Sequence, residues 1–279
     1  MKKISFVLFA LIAVTACNKE LCSQENSEQQ EIVINVDGDG IIADVTTKTS
    51  AVTTMPASLY FAGTTGTNTS QTSKWASVSK TVSSNKINTG YYQTATATSY
   101  NYYLSNCNMS TAATGCSITA DGSSIDAIAG VTKASTSTSP SVTLNHIFGR
   151  TGTLSASCSG YTLTNVTYKL KSKGTTTGTK GTYNIYSGSW SSTTALSETT
   201  ITSSSDLYLI PGTYTLTISG TRTKGDFTNT FSGSVDINIV AGKTHAISAT
   251  ITGDPAVQIV VSTTLTAWSS TTLTPSISA

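Results

Sequence analysis

The chain reads as an all-β protein, two tandem antiparallel β-sandwich domains behind an export signal. Three observations predict this. Ser and Thr fill 96 of 279 positions, with Thr commonest at 54, and a branched Cβ bearing a hydroxyl suits a pleated, half-wetted surface. Short apolar runs alternate with period two between clusters of Gly, Asn, Ser and Thr, as half-buried strands do. Beyond the first residues no window of ten or more keeps a helical period, so crossover helices are not expected and the strands should pair antiparallel. Hydrophobic residues at 38%, with 12 Tyr and 3 Trp, supply enough apolar surface for a core and set aside disorder.

The first residues are an address. Lys2 and Lys3 precede an apolar run from Ile4 to Val14, too short for a permanent membrane span and of the right length for a secretory signal. Ala13-Val14-Thr15-Ala16-Cys17 closes it with small residues before a cysteine. The pattern resembles a bacterial lipobox, which predicts cleavage after residue 16, lipid on Cys17 and a location at the outer membrane or cell surface. Residues 18–31 are polar, carry four glutamates and lack aromatics, so 17–31 reads as a lipidated flexible tether. Without residues 1–16 the basic count falls from 16 to 14, equal to the 14 acidic residues. A neutral chain with no basic run has no electrostatic footprint for nucleic acid.

Along the fold, Ile32 to Val36 predicts a first strand, Asp37-Gly38-Asp39-Gly40 a hairpin turn, and Ile41 to Val45 its returning partner. A calcium loop is not expected there, because Ile41 takes the fifth position and Lys48 the place of the closing Glu. Short strands follow around Leu59-Tyr60-Phe61, Tyr91-Tyr92 and Tyr100 to Leu104. Residues 132–140 hold no large apolar side chain and predict a linker, dividing the chain into domains 32–140 and 141–279. Beyond it Val142 to Phe148, Leu163 to Leu170, Tyr214 to Ile218, Val235 to Ile239 and His245 to Ile251 read as strands, punctuated by Pro211-Gly212, Lys224-Gly225-Asp226 and Ala241-Gly242-Lys243.

Chemistry is sparse. No nucleophile elbow, zinc-protease helix or phosphate-binding loop is present, so no enzymatic activity and no cofactor are expected. Two histidines and no paired Cys-x-x-Cys argue against a metal. His146 reads as a packed or edge residue and His245 as surface. Asp206, Asp226 and Asp254 fall at turns and strand starts. Cys107 and Cys116 flank a turn-like stretch, placed for a local disulfide or as small loop and core residues. Period two puts Tyr100 and Tyr102 on one face and Tyr103 on the other; core packing explains most of the tyrosines, with a sugar-stacking platform as the other reading.

Taken in order, several motifs resemble the fimbrillin-like proteins of Bacteroidetes, lipoprotein-derived pilins that include the Mfa-like subunits. The resemblance runs from about Asp44 to Pro275. It is carried by Thr46-Thr47-Lys48-Thr49 with Pro56 to Ala62, by Val142 to Leu154, by Asp206 to Leu216, by Thr223 to Thr228 and Val240 to Lys243, and by Leu265 to Trp268 with Leu273 to Pro275. It implies transthyretin-like sandwiches, a fimbrial location and self-assembly with other pilin subunits by strand exchange, with a host or bacterial surface ligand as a further partner. A protease would remove the lipidated segment with its first strand, opening a groove for a strand of the next subunit. Ile32, Ile34 and Val36 then mark the strand to be replaced, and Val257, Ile259, Val261, Leu265 and Trp268 mark the donor, or simply a last strand. Major subunits of the family are cut after an arginine; here none precedes Arg150, and Lys48 stands in the corresponding loop. The other reading is an uncut surface lipoprotein that binds glycan or host protein.

Overall fold

The protein's structure, a computed structural model, describes residues 29–40, 54–94, 98–203, 207–252 and 258–267. Among these every regular element is a strand. In chain order they are β1 (Gln29–Gly40), β2 (Ser58–Thr65), β3 (Thr72–Thr81), β4 (Lys86–Thr94), β5 (Tyr100–Ser105), β6 (Ser110–Ala112), β7 (Gly115–Asp121), β8 (Ile128–Ser135), β9 (Ser141–His146) and β10 (Gly149–Cys158). Then come β11 (Thr162–Ser172), β12 (Lys180–Asn184), β13 (Ser189–Thr194), β14 (Thr199–Ile201), β15 (Tyr208–Leu209), β16 (Gly212–Lys224), β17 (Phe227–Ile239), β18 (Lys243–Thr252) and β19 (Gln258–Ala267).

One ladder runs β3-β2-β5-β8-β9-β1-β4. It closes on itself, because side chains of β1, β4 and β9 share one core with those of β2, β3, β5 and β8. Ile32, Ile34, Ile87, Val142 and Leu144 pack with Phe61, Trp75, Tyr102, Leu104 and Ile128. The fold line lies between β8 and β9, which pair only at Ile128↔His146 and Ala129↔Asn145. Gly130 permits the crossing just beyond: a Cβ there would sit 2.1 Å from the Thr143 carbonyl oxygen. Tyr103, on the opposite face of β5 from Tyr102, packs into a second core with Ala62, Ile118, Ala129, Phe148 and Tyr208. The period-two reading of these tyrosines therefore holds.

The sheet covering that second core has the order β13-β12-β7-β6. Its strands come from both halves of the chain: β12 pairs antiparallel with β7 from Lys180↔Asp121 to Asn184↔Ser117. The C-terminal sandwich sets β15-β10-β18-β19 against β14-β11-β16-β17, around Leu170, Tyr214, Leu216, Ile218, Ile247 and Ile251. Perfect alternation in Tyr214 to Ile218 gives β16 its inward stripe, as expected.

Three expectations about organisation need correction, the first being antiparallel pairing throughout: β1 runs parallel to β9, and β10 runs parallel to β18. Asp37 to Gly40 is no hairpin turn; it continues β1, in parallel register with β9 through Asp37↔Thr143 and Gly40↔Asn145. Turn propensity is local, and backbone pairing with a strand a hundred residues away outweighs it. The partner expected at residues 41–45 lies outside the described residues. Residues 132–140 are no linker: β8 takes the first four, and the carbonyls of Thr138 and Pro140 accept from the amides of Val33 and Asn35 at 2.9 and 2.8 Å. Strand β9, just after residue 140, belongs to the first ladder, and β12 and β13 join a sheet with β7.

Candidate functional site

Two terminal strands bear the residues singled out for strand exchange. β1 is fastened along both edges. On one side it runs antiparallel to β4, with a bulge between Glu31 and Val33; on the other it runs parallel to β9. Alternation sends Ile32, Ile34 and Val36 inward, at 0%, 0% and 4% exposure. Full burial of such side chains is worth about 1.5–3 kcal/mol each. Polar groups complete the fit: Thr89 Oγ1 donates to the Ile32 carbonyl at 2.8 Å, the Gly90 amide to Glu31 Oε1 at 2.9 Å, and Thr143 Oγ1 to Asp37 Oδ2 at 3.0 Å.

Among the described residues β19 has one partner. It runs antiparallel to β18 in unbroken register from Lys243↔Ala267 to Thr252↔Gln258, at the edge of its sheet. Ile259 and Val261 are half-buried against the C-terminal core, whereas Leu265 is 49% and Val260 61% exposed. The strand has no charge, proline or glycine, the features by which edges are usually protected from pairing. Val257, Trp268, Cys17 and Lys48 lie outside the described residues.

The titratable groups are structural in their surroundings. His146 is buried and its Nδ1 lies 3.0 Å from Oδ1 of Asp126, also buried; the strand position of His146 was legible, its carboxylate partner twenty residues earlier was not. His245 is not at the surface but fully buried. Its Nδ1 lies 3.0 Å from the Arg150 carbonyl and its Nε2 accepts from the Val240 amide at 3.1 Å, so the neutral Nδ1–H tautomer fits. Burial lowers its pKa, opposed by backbone hydrogen bonds at Arg150 and Lys243.

Cys107 and Cys116 are free thiols, so the disulfide between them is not formed. Each has its own neighbour instead: Cys107 Sγ is 3.5 Å from Asn106 Oδ1 and Cys116 Sγ 3.6 Å from Thr111 Oγ1. Burial pushes both thiols up to about 11, far from reactive thiolates. Among the described residues no cluster of His, Cys, Asp or Glu could hold a metal ion.

The tyrosine platform is an interior feature. Trp75 stacks on Tyr102 at 6.0 Å and on Tyr91 at 5.6 Å, and Tyr102 is fully buried with its hydroxyl donating to Gln93 Oε1 at 2.8 Å. A sugar cannot reach Tyr102; of this group Tyr92 alone is strongly exposed, at 56%.

No family model and no curated protein sequence matches the chain. Among solved structures it is similar to a candidate cell adhesion protein from Bacteroides eggerthii, at TM-score 0.43 and 14% identity, covering 86% of this chain and 96% of that one. It is also similar to a candidate cell adhesion protein from Parabacteroides distasonis, at TM-score 0.45 and 9% identity, covering 86% and 100%. Likenesses this loose carry no function across.

Proposed function

We propose that the chain is a fimbrillin-like structural subunit of an adhesive cell-surface pilus, exported as a lipoprotein through Cys17 and assembled by β-strand exchange without enzymatic activity. The observation that carries this reading is the seat of β1. It is an N-terminal strand whose two neighbours, β4 and β9, pair with β1 and not with each other. Removing it would open a slot lined by backbone donors and acceptors, with apolar sockets for alternate side chains. A strand from another subunit restores both, which is the physics of β-augmentation. In β19, Ile259, Val261 and Leu265 share one face in a run free of charge, a composition that suits the donor.

Processing would act after Lys48. Such a cut removes four basic and seven acidic residues, leaving 12 basic against 7 acidic, a formal charge of +5. The test is intact mass, isoelectric focusing and N-terminal mapping of the protein recovered from cells. Polymers whose subunits begin near Thr49 and carry the added positive charge are expected. A monomer retaining acylated Cys17 would overturn the polymerising version. That outcome belongs to a second reading, an uncut surface lipoprotein that binds glycan or host protein, favoured by the absence of any arginine before Arg150.

A further inference from the structure

We propose that the crevice where β12 approaches the β8–β9 fold line is a binding site for a short neutral saccharide. The cavity measures about 280 Å³, at the small end of the roughly 300–1,000 Å³ of ligand pockets, room for about one or two sugar rings. It exists because β8 and β9 splay after two residue pairs and because β12, from the other half of the chain, docks on β7 and carries Tyr183 and Ile185 to the opening.

The lining is chiefly polar, as a ligand rich in hydroxyls requires. Ser141, Thr143 and Asn145 line it from alternate exposed positions of β9, with the half-buried Val131 and Tyr183 supplying a small apolar surface beside them. The Thr143 hydroxyl donates to Asp37 and the Thr132 hydroxyl to the Ser141 carbonyl, so both present lone pairs to a ligand hydroxyl. The Asn145 amide, on an exposed position, can donate and accept at once, as a vicinal diol requires. Tyr183 is held by Trp190, ring centroids 5.1 Å apart, and Trp190 in turn by Phe148 at 5.0 Å. A braced aromatic loses little freedom on binding. Among the described residues the lining carries no charged side chain, and the Asp37 carboxylate bonded to Thr143 stands against an anion, so an uncharged ligand is favoured over a sialylated, uronic or phosphorylated one.

The site goes beyond the pilus reading and does not depend on it, since its walls are the same whether or not the subunit polymerises. The test uses the full mature chain with lactose, maltose, chitobiose and mannobiose as probes and sialyllactose as the charged comparison, read by saturation-transfer NMR and titration. Binding of at least one neutral probe is expected. Asn145→Ala should weaken it about 3- to 10-fold, the loss of one hydrogen bond, and Tyr183→Ala by a comparable factor, the loss of the braced ring. Tyr92→Ala, at the exposed tyrosine elsewhere, should leave binding unchanged. Thermal unfolding at the parent midpoint confirms that each variant is folded. The proposal fails if no neutral probe binds at about 10 mM, if sialyllactose binds as tightly, or if Asn145→Ala and Tyr183→Ala bind like the parent. None of these results bears on polymer formation or on the mapped N-terminus.

Discussion

The two terminal strands, β1 and β19, carry nearly the same sequence pattern and occupy opposite situations. Each carries three consecutive aliphatic residues near its start, Ile32 to Ile34 and Ile259 to Val261, and turns more polar beyond. In β1 alternate aliphatic side chains are buried, both backbone edges are paired, and the strand lies between two others. In β19 the same period leaves Ile259 and Val261 half-covered and, among the described residues, one edge unpaired. The pattern fixes which face a side chain takes; topology decides whether anything covers that face. Exchange between copies needs such an asymmetry, a deep seat at one end and an available strand at the other.

The largest test of this contrast is deletion. A chain starting after Gly40 is expected to lose more stability than any single substitution removes, and a peptide of residues 29–40 added in trans should restore part of it. An unchanged unfolding midpoint would break the comparison. Next, Ile34→Ala should cost about 2–5 kcal/mol in denaturant unfolding, as for large-to-small changes in a closed core, whereas Ile259→Ala should cost about 1 kcal/mol or less. Equal costs would mean that β19 is as well seated as β1.

A pH series sharpens the picture on the β19 side, because His245 on β18 lies opposite Leu265. Its folded pKa is below the unfolded value of 6.5. The unfolded chain therefore binds the proton first, and stability falls as pH drops below 6.5 toward the folded value. Asp121 contributes in a separate range: hydrogen bonds from Ser123, with Lys180 nearby, lower its pKa below 3.8, so that stabilisation is lost only in stronger acid. His245→Gln should flatten the decline between pH 7 and 5; an unaltered slope would assign it to other groups. The smallest effect is expected of Val260→Lys, within about 0.5 kcal/mol of the parent, with reduced self-association measured by light scattering. A large stability loss would show that the exposed face of β19 is covered.

Much of the fold was legible because alternation is local. The opposite faces of Tyr102 and Tyr103, the inward stripe of β16 and the turn at Ala241-Gly242 can be read directly from residue spacing. What escaped depends on distant partners. Asp37 to Gly40 has strong turn residues, yet β9 supplies its backbone with hydrogen bonds. The Ser/Thr-rich stretch after β8 lacks core side chains, and its carbonyls nonetheless hold β1. His245 follows a Gly-Lys turn and is still buried, because β10 and the end of β17 close over it. Of the strands marked for exchange, the pattern was visible and the seat was not. The crevice at Tyr183 left no local signal, since its walls come from strands far apart in the chain.

The docking of β12 on β7 also imposes an order on the molecule's birth. Lys180 follows its partner Asp121 by 59 residues, so that edge of β7 stays unpaired until the later half of the chain arrives. Such non-local pairing slows folding and prolongs exposure to misassociation. The arrival of β12 is therefore the moment at which β7 ceases to offer an unpaired edge to other chains.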